Sequence, residues 1–141
     1  MVPFDGSGYS QKAFEKGLEI AEKFESKLIV MTVLQSKISD SAGISLERLK
    51  EIQDEEEDVA TAMLKKLEDQ ANEKNILFSI EIIHNPSSSD GIVSFADNNN
   101  IDLIVIGSHG RTGFRKIVLG SVANGVLEHA KCPVLITKGI E

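Results

Sequence analysis

Cysteine is nearly absent from this sequence, with Cys132 the only one among 141 residues. A single cysteine cannot form an internal disulfide, which excludes a disulfide-stabilised extracellular scaffold and favours a reducing compartment. Long apolar runs are also missing, since no stretch approaches the roughly 18 residues that a membrane-spanning helix needs. Nor does a basic segment followed by an apolar run, the pattern of a signal peptide, follow Met1. We therefore expect a cytoplasmic protein without a membrane partner.

Positive charge is in deficit as well. The 15 lysine and arginine residues face 22 aspartate and glutamate residues, and the net charge at pH 7 is −7. Binding to the phosphate backbone of nucleic acids requires clustered lysine and arginine, so we expect no nucleic-acid partner. A chain of this length with 41% hydrophobic residues can bury one core, and we expect one domain over residues 1–141.

Five short apolar runs alternate with longer segments of helical periodicity. The runs begin at Val2, Lys27, Leu77, Ile101 and Pro133. The second and fourth are almost continuous in valine, isoleucine and leucine, which predicts central strands covered on both faces, whereas the third alternates and predicts an edge strand. Strands that alternate with helices indicate parallel pairing through crossover connections. The predicted fold class is therefore α/β: a single three-layer, Rossmann-like domain with helices on both faces of a parallel sheet.

The sequence also predicts details of the first strand and of the first two helices. The first run, from Val2 to Phe4, is shorter than the about five or six residues usual for a strand, so we expect that the sequence begins inside this strand. The first helix has either Ser7 or Ser10 as its N-cap. The second, over residues 45–75, has apolar residues at intervals of three, four and seven, which predicts a stripe facing the core. The stripe comprises Leu46, Leu49, Ile52, Val59, Met63, Leu67 and Ala71.

The fourth run leads into a glycine-rich loop, Gly-Ser-His-Gly-Arg-Thr-Gly from Gly107 to Gly113, and a helix is predicted to start at about Gly120. Glycine lets backbone N–H groups approach a ligand that a Cβ would obstruct, and the N-terminus of a helix attracts anions. The segment matches neither the P-loop nor the dinucleotide-binding glycine motif. Further residues that suit a di- or triphosphate are Arg111, Arg115, Lys116 and Ser121.

A longer motif consists of Gly107, two residues, Gly110, nine residues and the pair Gly120-Ser121. Together with Val-Pro-Phe-Asp-Gly-Ser near the N-terminus and Pro-Val-Leu-Ile near the C-terminus, it resembles the universal stress protein family, in the ATP-binding branch of the HUP (adenine nucleotide alpha-hydrolase-like) group. The resemblance covers essentially the whole chain. It implies a five-stranded parallel sheet in the order 3-2-1-4-5, a homodimer, and ATP as ligand, with Mg²⁺ or Mn²⁺ bound through the ATP phosphates.

The resemblance also implies roles for individual residues. Asp5 matches the carboxylate that contacts the ribose hydroxyls, and Val33 the residue beside adenine whose backbone atoms read the ring edge. Gly107 lies by the ribose, and Gly110 lies by the phosphates together with the start of the last helix. The full set of candidate nucleotide-binding residues is Pro3, Phe4, Asp5, Val33, Gly107, Ser108, His109, Gly110, Arg111, Gly120, Ser121 and Val122. No catalytic residue and no protein metal ligand are expected.

Three of these residues have structural alternatives. Asp5 follows a strand, where a carboxylate suits ribose hydroxyls, but it can instead cap the first helix. Val33 can belong to the core and contact adenine at the same time. His109 either touches a phosphate or orients the turn, and we favour the turn.

Three functions compete. The first, which we favour, is a regulatory module of the stress response that binds ATP. The second is an ATP-consuming enzyme of the HUP group or a slow ATPase. The loop Asp-Gly-Ser-Gly matches the Ser-Gly-Gly-x-Asp-Ser motif of such ligases poorly, and no general base or nucleophile accompanies the glycine loop. The third is a phosphoacceptor receiver domain, which needs an aspartate at the end of the third strand, where His84-Asn85 stands instead.

The last apolar run, from Pro133 to Lys138, forms an edge strand in the order 3-2-1-4-5. Its outer N–H and C=O groups are unpaired, and neither a charge nor a proline interrupts the stretch from Val134 to Thr137. Such an edge invites pairing with another chain, and pairing across a two-fold axis closes a homodimer. We therefore expect a homodimer through this strand.

Overall fold

The computed structural model describes residues 1–35, 43–113 and 118–139. Strands and helices alternate along this part of the chain, as the sequence predicts. The elements are β1 (Val2–Pro3), α1 (Gly8–Phe24), β2 (Leu28–Leu34), α2 (Leu46–Glu73), β3 (Phe78–His84), α3 (Ser88–Asn98), β4 (Ile104–Gly107), α4 (Ser121–His129) and β5 (Val134–Thr137). None of the described helices is long and apolar enough to span a membrane.

All strand pairs in the described chain are parallel. β2 pairs with β1 on one side and β3 on the other, and β4 pairs with β5. Met1 joins the two groups, because its nitrogen donates to Leu103 O (2.8 Å) and its carbonyl accepts from Val105 N (2.9 Å). The strands therefore follow one another in space as 3-2-1-4-5. The predicted single sheet is present as ladders of three and two strands.

Helices cover both faces of the sheet, which confirms the three-layer arrangement. Successive strand residues point to opposite faces. Val30 of β2 and Val105 of β4 pack in a core with buried side chains of α1 and α2, whereas the adjacent Met31 and Ile104 pack in a second core with those of α3 and α4. β2 and β4 are thus the central strands that their continuous apolar runs predict.

The start of α1 resolves the choice between two candidate caps. Ser7 is the N-cap, and its hydroxyl accepts a hydrogen bond from Ser10 N at 3.2 Å. Ser10 is buried, and its own hydroxyl donates back to Ser7 O at 3.0 Å. The first turn of α1 is therefore closed on itself directly after the loop that follows β1.

Only the C-terminal half of α2 packs on the sheet, which makes the predicted stripe wrong for its N-terminal half. The buried residues of α2 are Ala60, Leu64, Leu67 and Ala71, whereas Leu46 is 86% and Val59 71% exposed. A helix of 28 residues is about 42 Å long, but seven-residue strands such as β2 and β3 extend only about 23 Å. The first half of α2 therefore extends past the carboxyl ends of the strands.

Two phenylalanines of α1 test the position of the first core. Phe14 is fully buried and packs edge-on against Phe4, with ring centroids 6.4 Å apart, whereas Phe24 is 70% exposed. We expect Phe14→Ala to lower the free energy of unfolding by about 3–5 kcal/mol, because it leaves a cavity. The matched change Phe24→Ala is expected to cost less than about 1 kcal/mol. Urea denaturation monitored by circular dichroism measures both, and equal effects would contradict the packing of α1.

Candidate functional site

A cleft of about 1010 Å³ opens at the carboxyl ends of the strands. β1 ends at Pro3, which is opposite Met31, whereas β2 continues to Leu34. On the other side of β1, β4 continues to Gly107. Strand order reverses between β1 and β4, so the gap between β2 and β4 beyond the end of β1 lies at this reversal, and in open α/β sheets ligands bind there.

Main-chain groups of β2 face this gap. Met31 O accepts a hydrogen bond from Phe4 N at 2.8 Å, so the Met31 main chain faces β1, and Leu34 O accepts from Asn85 N on the β3 side. The main-chain groups of successive residues in a strand face opposite neighbouring strands. The N–H and C=O of Val33, two residues after Met31, therefore point toward the β1 side, beyond the end of β1. The Val33 side chain meanwhile packs in the second core, so Val33 is a core residue with its backbone at the cleft.

The glycine loop is held by main-chain hydrogen bonds at both ends. Ser108 N donates to Thr137 O (2.9 Å), which fixes the start of the loop to the end of β5, and Gly120 N donates to Ser108 O (2.7 Å). A Cβ on Gly120 would lie 3.1 Å from Ser108 O and 3.2 Å from the Cα of His109. The two ends of the glycine motif are therefore in direct backbone contact, and a side chain at residue 120 would force them apart.

The N-terminus of α4 differs from those of the other described helices. The side chains of Ser7, Ser45 and Ser87 cap α1, α2 and α3, each by accepting a hydrogen bond from a first-turn amide. The N-cap of α4 is Gly120, which makes no side-chain hydrogen bond. Gly120 therefore supplies no side-chain acceptor to the first-turn amides of α4, which begin at Ser121 on the wall of the cleft.

Asp5 ties the loop after β1 to the glycine loop. Its Oδ1 accepts a hydrogen bond from Ser7 N (2.9 Å), and its Oδ2 accepts from Arg111 N (3.1 Å). The Arg111 side chain adds a bond from Nε to the Asp5 carbonyl (2.5 Å). A Cβ on Gly110 would lie 3.0 Å from Asp5 Oδ2, so glycine is what lets the loop approach the carboxylate. Asp5 thus bonds the amide of the N-cap residue and does not itself cap α1.

His109 lies in the cleft wall with neighbours of its own. Its Nδ1 is 3.0 Å from the Ser108 hydroxyl, and its ring centroid is 5.2 Å from that of Tyr9. Ser108 is buried and, unlike its neighbours Gly107 and His109, does not line the cleft. These contacts favour a role for His109 in orienting the turn.

The structure brings eleven of the twelve candidate residues together at the cleft, and Ser108 is the exception. The residues that line it are Pro3, Phe4, Asp5, Val33, Gly107, His109, Gly110, Arg111, Gly120, Ser121 and Val122. The predicted positive charges Arg115 and Lys116 lie outside the described residues. Within the described ranges, no three or more histidine, cysteine, aspartate and glutamate side chains cluster as a metal site would require.

One wall of the cleft could not be recognised in the sequence. The overhanging part of α2 contributes Ile52, Glu55, Glu56 and Val59, and Met63 follows from the part that packs on the first core. The spacing of the three apolar residues matches an ordinary core stripe, and only the length of the helix relative to the strands indicates that part of it lies beyond the sheet. These side chains give the cleft an apolar surface with two carboxylates beside it.

Sequence comparison identifies relatives over nearly the full chain. The model of the universal stress protein family matches residues 1–138. Universal stress protein MJ0531 of Methanocaldococcus jannaschii is 34% identical over 142 residues, which cover 98% of this chain and 80% of the relative. Universal stress protein YxiE of Bacillus subtilis is 28% identical over 145 residues, which cover 98% of this chain and 97% of the relative.

Solved structures share the fold. Universal stress protein UspA of Lactobacillus plantarum is 25% identical, with a TM-score of 0.80 over 96% of this chain and 93% of that one. A universal stress protein in complex with cAMP has a TM-score of 0.71 at 24% identity, over 99% and 94% of the two chains. A universal stress protein family protein of Arabidopsis thaliana with AMP bound has a TM-score of 0.70 at 21% identity, over 99% of this chain and 90% of that one. With the match of the family model over nearly all of its length, the chain belongs to the universal stress protein family.

Proposed function

We propose that this protein is a regulatory module of the stress response that binds ATP in the cleft between β2 and β4. The nucleotide's presence, and not its consumption, is the signal in this proposal. We also propose a cytoplasmic location, which the single cysteine favours.

The observation that carries the proposal is the uncapped N-terminus of α4 beside the glycine loop. The first-turn amides of a helix bind anions, because their N–H groups and the helix dipole both favour negative charge. Gly120 and Gly110 let the loop pack closely against the start of α4 and against Asp5, where a Cβ would lie 3.1 Å from Ser108 O and 3.0 Å from Asp5 Oδ2, and Ser121 lies at the same wall. A triphosphate along this wall would supply the acceptors that serine side chains supply in the other three described helices.

The rest of the cleft suits adenosine. The main-chain N–H and C=O of Val33 offer one donor and one acceptor, as the edge of an adenine ring requires. Each oxygen of the Asp5 carboxylate accepts one main-chain hydrogen bond and retains a second lone pair for a ribose hydroxyl. The apolar side chains of Val59 and Met63 provide a surface for the base.

The divalent cation belongs to the nucleotide in this proposal. Because the described residues contain no cluster of metal ligands, Mg²⁺ or Mn²⁺ would be held by the ATP phosphates. The complexes of related proteins with AMP and cAMP support an adenine nucleotide in general. ADP or AMP in the same cleft is therefore the nearest variant of the proposal.

The strand order argues against a receiver domain. Receiver domains have the order 2-1-3-4-5, with β1 between β2 and β3. Here β2 pairs with both β1 and β3, and β3 ends at His84. An ATP-consuming enzyme is not favoured either, because no candidate general base or nucleophile accompanies the glycine loop. We expect at most slow hydrolysis.

Gly120→Val tests the phosphate site. The valine side chain would force the start of α4 away from Ser108 O and His109 and so displace both parts of the phosphate site, and we expect ATP affinity to fall by roughly tenfold or more. Gly8→Val is the matched control, since a Cβ on Gly8 meets nothing within 4 Å, and it should retain ATP affinity within about twofold. Calorimetric titration measures both. A folded Gly120→Val variant with unchanged ATP affinity would exclude phosphate binding at this loop.

Asp5→Ala tests the ribose contact. A hydrogen bond to a charged group contributes about 1.5–3 kcal/mol, so we expect the variant to bind ATP and adenosine roughly tenfold more weakly. The affinities for the two ligands should fall by the same factor, because both ligands contain the ribose. Titration of the same protein with each ligand gives the comparison. A loss confined to ATP would instead assign Asp5 to the metal that the phosphates carry.

We further propose a homodimer through the free edge of β5. Ile104 N donates to Pro133 O and Ser108 N donates to Thr137 O, so residues 133 and 137 turn their main chain toward β4. By alternation, the N–H and C=O of Ile136 point outward. Leu135 is 38% exposed at the same edge, which leaves both polar groups and apolar surface for a second copy.

Light scattering tests the dimer. Wild-type protein should be dimeric at micromolar concentration, and Ile136→Pro should be monomeric, because it removes an outward donor and leaves the bonds to β4 intact. Ile136→Ala is the control, since it keeps the N–H while it shortens the side chain. A monomeric wild type would contradict the proposal, as would a dimer of Ile136→Pro that is as stable as that of Ile136→Ala.

A further inference from the structure

Tyr9 lies against the glycine loop although it does not line the cleft. It is the second residue of α1, and its main chain is so close to Gly107 that a Cβ there would be 2.8 Å from the Tyr9 carbonyl carbon and oxygen. The end of β4 and the first turn of α1 therefore pack backbone against backbone. This packing places the Tyr9 side chain beside the loop that Gly107 begins.

The Tyr9 ring stands between two glycines. A Cβ on Gly113 would be 3.4 Å from Cε2 of the ring, and one on Gly139 would overlap the opposite edge, 2.6 Å from Cδ1. The ring of His109 is tilted by 49° against that of Tyr9. One flat side chain thus contacts the glycine loop on one side and the segment after β5 on the other.

The contact supports the turn from Gly110 to Gly113. Gly113 has a φ of +20°, and its amide donates to Gly110 O at 3.2 Å. Tyr9 Cε2 and Gly110 O are the two atoms nearest to a Cβ built on Gly113. The turn is therefore shaped by its own hydrogen bond from within and by the tyrosine ring from outside.

We propose that Tyr9 is a positioning residue for the phosphate-binding loop. Its ring, held against Gly139, keeps Gly113 and His109 in place, and through them the backbone that faces the phosphates. The inference deepens the proposed function and rests on it. Tyr9 acts through the loop without contact to the nucleotide. The contacts are made by ring carbons, whereas the hydroxyl oxygen is 4.0 Å from the Gly113 Cβ position, so a phenylalanine ring satisfies the same role.

The experiment compares Tyr9→Ala and Tyr9→Phe by calorimetry with ATP and with adenosine. We expect Tyr9→Ala to bind ATP about tenfold more weakly and adenosine within about twofold of wild type, because Asp5 keeps its bond from Ser7 N and Val33 is held within β2. Tyr9→Phe should restore ATP affinity. If Tyr9→Ala does not fold, Tyr9→Leu, which keeps apolar bulk but no flat ring, replaces it with the same expected split.

The outcomes separate the inference from the proposed function. Wild-type affinity for ATP in Tyr9→Ala overturns the role of Tyr9 and leaves ATP binding intact. An equal loss of ATP and adenosine affinity also overturns it, because that result indicates general damage to the cleft. If Tyr9→Phe does not restore ATP affinity, the aromatic ring alone does not position the loop, and the inference is overturned. A wild type that binds neither ligand overturns the proposed function and this inference together.

Discussion

The early end of β1 is the constraint from which the site follows. β1 pairs with β2 only through Val2 and Pro3, and β2 and β4 both extend beyond it. The Thr32 hydroxyl then donates to Phe4 O at 2.8 Å, which holds the chain at the point where it leaves the sheet. A longer β1 would form hydrogen bonds with the last main-chain groups of β2 and β4. Because β1 ends early, these groups face the gap. The cleft, the backbone position of Val33 and the reach of Asp5 across to Arg111 all depend on this gap.

An acidic protein that binds a polyanion needs positive potential from another source than net charge. Asp5, Glu55 and Glu56 line the cleft together with Arg111, and the Arg111 side chain already donates to the Asp5 carbonyl. The N-terminus of α4, where Gly120 supplies no capping side chain, adds the equivalent of about half a positive charge together with its first-turn N–H groups. A ligand whose phosphates carry their own divalent cation suits such a cleft better than a bare polyanion, since the cation lowers the charge that the protein must neutralise.

The order of the elements could be predicted from the sequence because apolar runs and helical periods record which faces are buried. The glycine spacing indicated the loop, since a close backbone approach requires glycine at a given position, whereas Pro3, Phe4 and Val33 were assigned to the site through the resemblance to the family. The overhang of α2 could not be predicted, because Val59 has the spacing of a core residue and its exposure depends on the length of the neighbouring strands. The contacts of Asp5 with Arg111 and of Tyr9 with Gly139 join residues far apart in sequence, and they exist only once the fold is assembled. Ser108 was predicted at the cleft because it lies between cleft residues, but its side chain is buried, with the hydroxyl 3.0 Å from Nδ1 of His109.

Phosphate binding by the first turn of α4 and the glycine loop can be followed by a two-dimensional amide NMR titration of the wild-type protein. With ATP and Mg²⁺, we expect large shifts of the amide signals of Gly110, Ser121 and Val122 together with Val33. With adenosine, we expect the Val33 signal to shift and those of Ser121 and Val122 to stay unchanged. Saturation with ATP that leaves the α4 amides unchanged would show that the phosphates do not bind there.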